Sequence, residues 1–281
     1  MSLIAGVALR RPAGEKRCDH SKKNQTPEED EARSAEKTLH LFGTIGAAIG
    51  WFYGAVIAPF VDFFGKRRWM GLLILAMIGT YRLPDFIMGT VARPMYRQSF
   101  SLIEIGTMSG LIGVWVTIAG ALIGGFVVFR FGIMRSLFIG LTAVIAGNLC
   151  YALLAASGHD IAVFAIAICV ENLAAGFAGT ALLAYMSSLT SKAFTATQYA
   201  LFSSFYALPG KVLGGLSGVL VDWFAGQRHL FESLLPVLAS VPDKVVGFVP
   251  FFIMTALAGL PALALLLLVY RESNRSPPAT A

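Results

Sequence analysis

The feature that most constrains this chain is a succession of apolar runs, each long enough to cross a membrane, separated by short basic or polar connections. A helix needs about 20 apolar residues to traverse a hydrocarbon layer of about 30 Å. Runs of that order occupy residues 69–91, 103–129, 136–156, 161–187, 196–224 and 246–270. Lipid offers no partner to an unpaired amide, so each run must close its hydrogen bonds as a helix or within a closed barrel. Barrel strands alternate apolar and polar residues over about ten positions, and these runs do not. Composition agrees, with 56% of the 281 residues hydrophobic and 14% charged, against about 25% charged in soluble domains. The expected class is an all-α membrane protein with six spans.

Around the six-helix bundle of residues 69–270 the sequence predicts three further regions. Residues 1–40 are polar and of mixed charge, which reads as a solvated tail or connecting loop. Residues 41–68 are apolar but are interrupted by Gly43, Gly46, Gly50, Gly54 and Pro59, and they end in Gly65-Lys66-Arg67-Arg68. That pattern suits an interfacial or partly inserted element. Residues 271–281 form a second polar tail.

Six spans place both ends on one side, and charge says which. Lys66, Arg67, Arg68, Arg130, Arg135, Lys192, Arg271 and Arg275 share a side with the basic residues of the N-terminal segment; Arg93, Arg97, Arg228 and Lys244 lie opposite. The positive-inside rule puts both ends in the cytoplasm. The net charge of +6 is thereby read as topology, and nucleic acid is not an expected partner. Lipid is. In the last external connection, Leu230, Phe231, Leu234, Leu235 and Leu238 recur at helical spacing and predict a short surface helix.

Polar residues inside the spans carry the functional information, because each is costly in lipid unless it faces a partner or a cavity. Arg82 and Asp85 are three residues apart around Pro84, which should bend the first span. They read either as a self-neutralising pair or as a substrate or proton site at a helix break. Glu171 sits near the middle of the fourth span, followed by Asn172 and a run of small residues. A carboxylic acid there can be neutral when desolvated and ionise when its cavity admits water, which is the chemistry of proton coupling. A hydrogen-bonded packing role is the alternative. Lys211, after Pro209-Gly210 in the fifth span, reads as a counter-charge or a snorkelling side chain. Asn148 is a weaker candidate of the same kind. Glycines spaced by four, at 106/110, 120/124 and 210/214/218, let helices touch by backbone. No nucleophile elbow, phosphate loop or metal-ligand set is present in the sequence, so neither an enzyme nor a cofactor is expected.

Certain stretches resemble known transporters. The turn GGFVVFRFGIMR, Gly124–Arg135, is similar to the Gly-x-x-x-Asp/Asn-Arg/Lys-x-Gly-Arg loop of the major facilitator superfamily. Gly125, Arg130 and Gly132 match, Phe129 replaces the usual acidic or amide residue, and the resemblance implies a gating loop that includes Arg135. PFVDFF, YRLPD at 81–85, VENLAAGFAGTA at 170–181 and FTATQYALFSS with LPGKVLGGLSG across 194–218 resemble muropeptide permeases of the AmpG type. The resemblance covers about residues 55–270 and corresponds to that family's C-terminal six helices. It implies a major facilitator fold and import of anhydro-muropeptides with protons across the bacterial inner membrane, for cell-wall recycling. Related acetyl-coenzyme A transporters share parts of the pattern. On this reading Asp85 and Glu171 carry protons, Arg82 and Lys211 balance charge or bind anionic groups, and Asn148, Asn172, Gln198 and Tyr199 offer hydrogen bonds to the substrate. A complete transporter of this kind has two six-helix halves, so the expected partner is an N-terminal half or a second copy. The alternative is a half-size module that associates with another membrane protein.

Overall fold

The computed structural model describes residues 50, 53, 57–190, 195–234, 241–242 and 245–275. The expected polar segment 1–40, most of 41–56, and Lys192, Leu235, Leu238, Lys244 and residues 276–281 lie outside the described residues, as do the side chains of Lys66, Arg67, Arg68 and Arg275. The chain divides into Met1–Gly54 and Ala55–Ala281, and the second unit holds the helical bundle.

In chain order its helices are α1 (Ala58–Tyr81), α2 (Leu83–Ser99), α3 (Leu102–Ile105), a π-helical segment (Gly106–Ile112), α4 (Gly113–Phe131), α5 (Ile133–Ser157), α6 (Ile161–Leu189), α7 (Thr195–Gly215), α8 (Ser217–Gly226), α9 (Arg228–Leu234), α10 (Phe248–Leu257) and α11 (Gly259–Arg275). Among the described residues, five helical stretches are long and apolar enough to cross a membrane, or six if the bent pair α7–α8 is one span. The described residues are therefore all-α, as expected, with the helical content of one half of a major facilitator transporter.

Local chemistry explains the element ends. Glycine tolerates the left-handed backbone that other residues resist, and the α4–α5 and α5–α6 turns use it at Gly132 (φ +86°) and Gly158 (φ +69°). Asp160 then caps α6, its carboxylate accepting from the Ala162 and Val163 amides. At the start of α3, Ser101 and Glu104 form a reciprocal capping box.

Two departures from the expected spans matter for function. The first span runs on through Ser99 rather than ending near Val91, which carries Arg93 and Tyr96 along its helix. Its break falls at Arg82, two residues before Pro84, and Pro84 occupies the first turn of α2, where its missing N–H costs no bond. The fifth span bends by 42° at Leu216, in a Gly-Gly-Leu-Ser stretch that the apolar pattern reads as continuous. On the N-terminal side, residues 58–68 belong to the same helix as the start of the first span, with Phe63 fully buried edge-on against Phe202.

The bundle is packed in two apolar cores. One joins Ile87, Met88, Tyr96, Tyr151, Phe164, Phe248 and Phe252. The other joins Met77, Ile78, Tyr81, Leu137, Leu141, Ala178, Tyr185, Phe202 and Leu266. Helices α4 and α6 meet through glycines: Gly120 and Gly124 lie on the Leu173 and Phe177 backbone, and Gly176 lies on Thr117. Gly210 and Gly214 face Phe86 and Thr90 of α2. Gly106, Gly110 and Gly218 face open space, so these members of the four-residue series make no close helix contact among the described residues.

Candidate functional site

Between the two cores each of four helical stretches changes from apolar to polar and back. Along α1–α2 the order is Tyr81, then Arg82 and Asp85, then Ile87; along α5 it is Val144, Asn148, Tyr151. Along α6 it is Ile168, then Glu171 and Asn172, then Ala174; along α10–α11 it is Phe252, Thr255, Ala262. Polar groups otherwise costly to bury are thus gathered at one level of the bundle, where they can serve one another.

Most of them do. Arg82 Nε lies 3.0 Å from Asp85 Oδ2, with the two side chains 14% and 8% exposed. An Arg82 Nη1 hydrogen bond to the Ala175 carbonyl, 2.9 Å, ties this pair to α6. Arg82 stands at the break between α1 and α2, and Gly179 makes room for its guanidinium: a Cβ on it would stand 3.0 Å from Nη1. Thr117 donates to Asn172 Oδ1 (2.8 Å), and Asn172 Nδ2 donates to the Ile168 carbonyl. Thr255 donates to Asn148 Oδ1 (2.7 Å), and Asn148 Nδ2 donates to the Val144 carbonyl.

Glu171 differs. It has no hydrogen-bond or ion-pair partner among the described residues and lines a cavity of about 180 Å³ with Asn172, Arg93, Tyr96, Ser109 and Tyr151. Gly147 of α5 allows this placement, since a Cβ there would come 3.3 Å from the Glu171 Cα. The Tyr96 and Tyr151 hydroxyls hydrogen-bond to each other, and their rings are braced by Phe164 and Phe252. A water molecule occupies about 30 Å³ in the liquid, so the cavity has room for roughly six. A pocket enclosing a drug-sized ligand is about 300–1,000 Å³. The chemistry available is therefore a carboxyl group, two phenols, an amide and a guanidinium around a space sized for water and protons.

The sequence-predicted residues separate into groups. Arg82, Asp85, Glu171 and Asn172 lie in the polar layer. Asn148 lies there too, engaged with Thr255. Gln198 is buried one core away, donating to Asp62 Oδ2 at 3.1 Å, and Tyr199 is half-buried beside that second core. Lys211 is exposed on α7, and it makes no ion pair with Glu171 or Asp85. Gly125, Arg130, Gly132 and Arg135 lie at the α4–α5 turn, away from the cavity, with the Arg130 guanidinium 5.6 Å from the Phe131 ring centroid. Arg93, Tyr96, Ser109 and Tyr151 escape the sequence reading. Apolar length ends the first span before Arg93 and Tyr96, Ser109 falls in the π-helical segment, and Tyr151 reads as an apolar member of the third span. A Tyr spaced to meet another Tyr across two helices leaves no local signal.

No protein-family model matches the chain. Among curated sequences, a Rickettsia felis protein named as transporter AmpG 4 is 32% identical over 231 residues, covering 82% of this chain and 50% of that protein. A Rickettsia prowazekii protein named as transporter AmpG 3 is 31% identical over 203 residues, covering 70% and 48%. The anhydromuropeptide permease of Escherichia coli strain K12 is 33% identical over 196 residues, covering 68% and 38%. The chain thus spans half or less of the length of these relatives. It is an AmpG-like protein, a relative of the AmpG-type transporters and permeases matched over most of its own length.

Proposed function

We propose that this chain is the C-terminal half of a proton-coupled permease that imports anhydro-muropeptides across the bacterial inner membrane, with both ends in the cytoplasm. The observation that carries the reading is Glu171, unpaired among the described residues beside a water-sized cavity, in a polar layer between two apolar cores. A carboxyl group so placed changes charge as the cavity gains or loses access to water. The name of the Escherichia coli relative supplies the substrate class.

In this scheme Glu171 binds and releases the proton. Asp85 is held by Arg82 and relays or balances charge. Tyr96 and Tyr151 provide hydroxyls through which a proton reaches Glu171. The disaccharide-peptide itself is too large for the cavity, so its cleft forms against a second six-helix half, toward which the exposed Lys211 would face.

Uptake of labelled anhydro-muropeptide in permease-deficient cells tests the reading, with the chain supplied alone and together with an N-terminal half. Uptake is expected in at least the second case, and to fall by about 100-fold or more with Glu171→Gln, the scale of a lost acid–base group. Absence of uptake in both would defeat the transport reading; uptake unaffected by Glu171→Gln would remove the proton role. A second reading is a module that associates with another membrane protein without transporting. Stable co-purification with a partner in cells that show no uptake would establish it.

A further inference from the structure

A second and larger cavity, about 680 Å³, opens at the end of the bundle that holds the α4–α5 turn. Its walls come from helices distant in sequence. Val128 and Phe131 close α4; Gly132, Ile133, Met134 and Arg135 open α5; Tyr185 and Ser188 end α6; and Tyr270 is near the end of α11. The lining mixes two chemistries: Val128, Phe131, Ile133, Met134 and the rings of Tyr185 and Tyr270 are apolar, and Arg135 and the hydroxyls of Ser188 and Tyr270 are polar. No side chain caps the first turn of α5, so its free amides add positive potential in the turn that carries Arg135. Arg135 is exposed and has no ion-pair or hydrogen-bond partner among the described residues.

A mostly apolar cavity with an unpaired cationic side chain in its wall, at the end of a membrane bundle, fits an amphiphile with an anionic head. We infer that this cavity is a binding site for an anionic phospholipid, its phosphate at Arg135 and its acyl chains along Phe131, Met134 and Tyr270. Charge complementarity decides the class: a zwitterionic lipid places its own cation against Arg135, and basic pockets between helix ends favour anionic head groups. The site includes Gly132 and Arg135 of the loop to which the sequence resemblance gives a gating role, but it shares no lining residue with the Glu171 cavity, so lipid retention tests it apart from proton coupling.

The test is native mass spectrometry of the purified chain in detergent, mixed with phosphatidylglycerol or phosphatidylcholine of identical acyl chains, and separately with inorganic phosphate. Phosphatidylglycerol should be retained at one per chain, about five-fold or more over phosphatidylcholine. Arg135→Gln should weaken retention about five-fold, the change expected for one basic side chain at an anionic surface. Arg271→Gln, outside the lining, should leave it unchanged. Equal retention of the two lipids, or equal loss in both variants, overturns the site in favour of a diffuse basic belt. Displacement by millimolar inorganic phosphate overturns the lipid assignment in favour of a free anion. Because a variant can fail to fold, a photoactivatable phosphatidylglycerol on the wild-type chain gives a second readout: crosslinks should map to Phe131–Arg135 and Tyr270, and their absence there sinks the proposal.

Discussion

Replacing Asp85 by Asn leaves the Arg82 guanidinium largely buried, with the Ala175 carbonyl still accepting from it. Breaking a buried pair by removing one partner costs about 3–5 kcal/mol, and the lower end applies because Arg82 keeps that carbonyl. Asp85→Asn should therefore lower the thermal midpoint of the purified chain markedly, while Arg82→Met with Asp85→Leu should lower it less. Equal midpoints for Asp85→Asn and wild type would refute the pairing. Thr255→Val removes one hydrogen bond from Asn148; bonds between membrane helices average about 0.6 kcal/mol, so a small loss is expected, well below that of Asp85→Asn. At this scale the sequence exposes the charges but not their partners. Asn172 stands out as polar within lipid, yet nothing in its neighbourhood names Thr117, 55 residues away.

Among the helices, the α4–α6 contact is the most backbone-close and hence the least forgiving. A Cβ at Gly124 would stand 2.9 Å from the Phe177 carbonyl oxygen, whereas one at Gly106 meets nothing within 4 Å. Overpacking a close contact costs about 1–3 kcal/mol. Gly124→Ala should destabilise the bundle by an amount in that range, and Gly106→Ala should not, in paired thermal unfolding measurements. If both are neutral, the glycine contact does not hold these helices. The spacing of four residues is identical in the two pairs, so sequence alone ranks them together. Contact geometry separates them, because the 120/124 pair faces a neighbouring backbone and the 106/110 pair faces outward. The same holds for the two broken spans. Pro84 announces a bend near Arg82, but the 42° bend at Leu216 has no proline at its apex and accompanies the packing of both α7 and α8 on α2.

For the whole molecule, the proposed topology puts the α4–α5 turn and the end of α11 on one side of the membrane, and the α5–α6 turn on the other. With the native cysteines replaced, His159→Cys should react with an impermeant thiol reagent added outside intact cells. Asn274→Cys should react only after permeabilisation. Labelling of both from the same side would overturn the arrangement. The sequence by itself determined that this chain is helical and bound for a membrane, because uninterrupted apolar length dictates hydrogen-bonded helices in lipid whatever their packing. It also located the charges that lipid would not tolerate alone. The tertiary structure decided which of those charges meet: it gathered Arg82, Asp85, Asn148, Glu171 and Asn172 at one level, added Tyr96 and Tyr151, and left Lys211 on the outside. The reason is physical. Helix formation is settled by contacts within a few residues, whereas partnership across a bundle depends on rotations and bends that accumulate over whole helices and have no local signature.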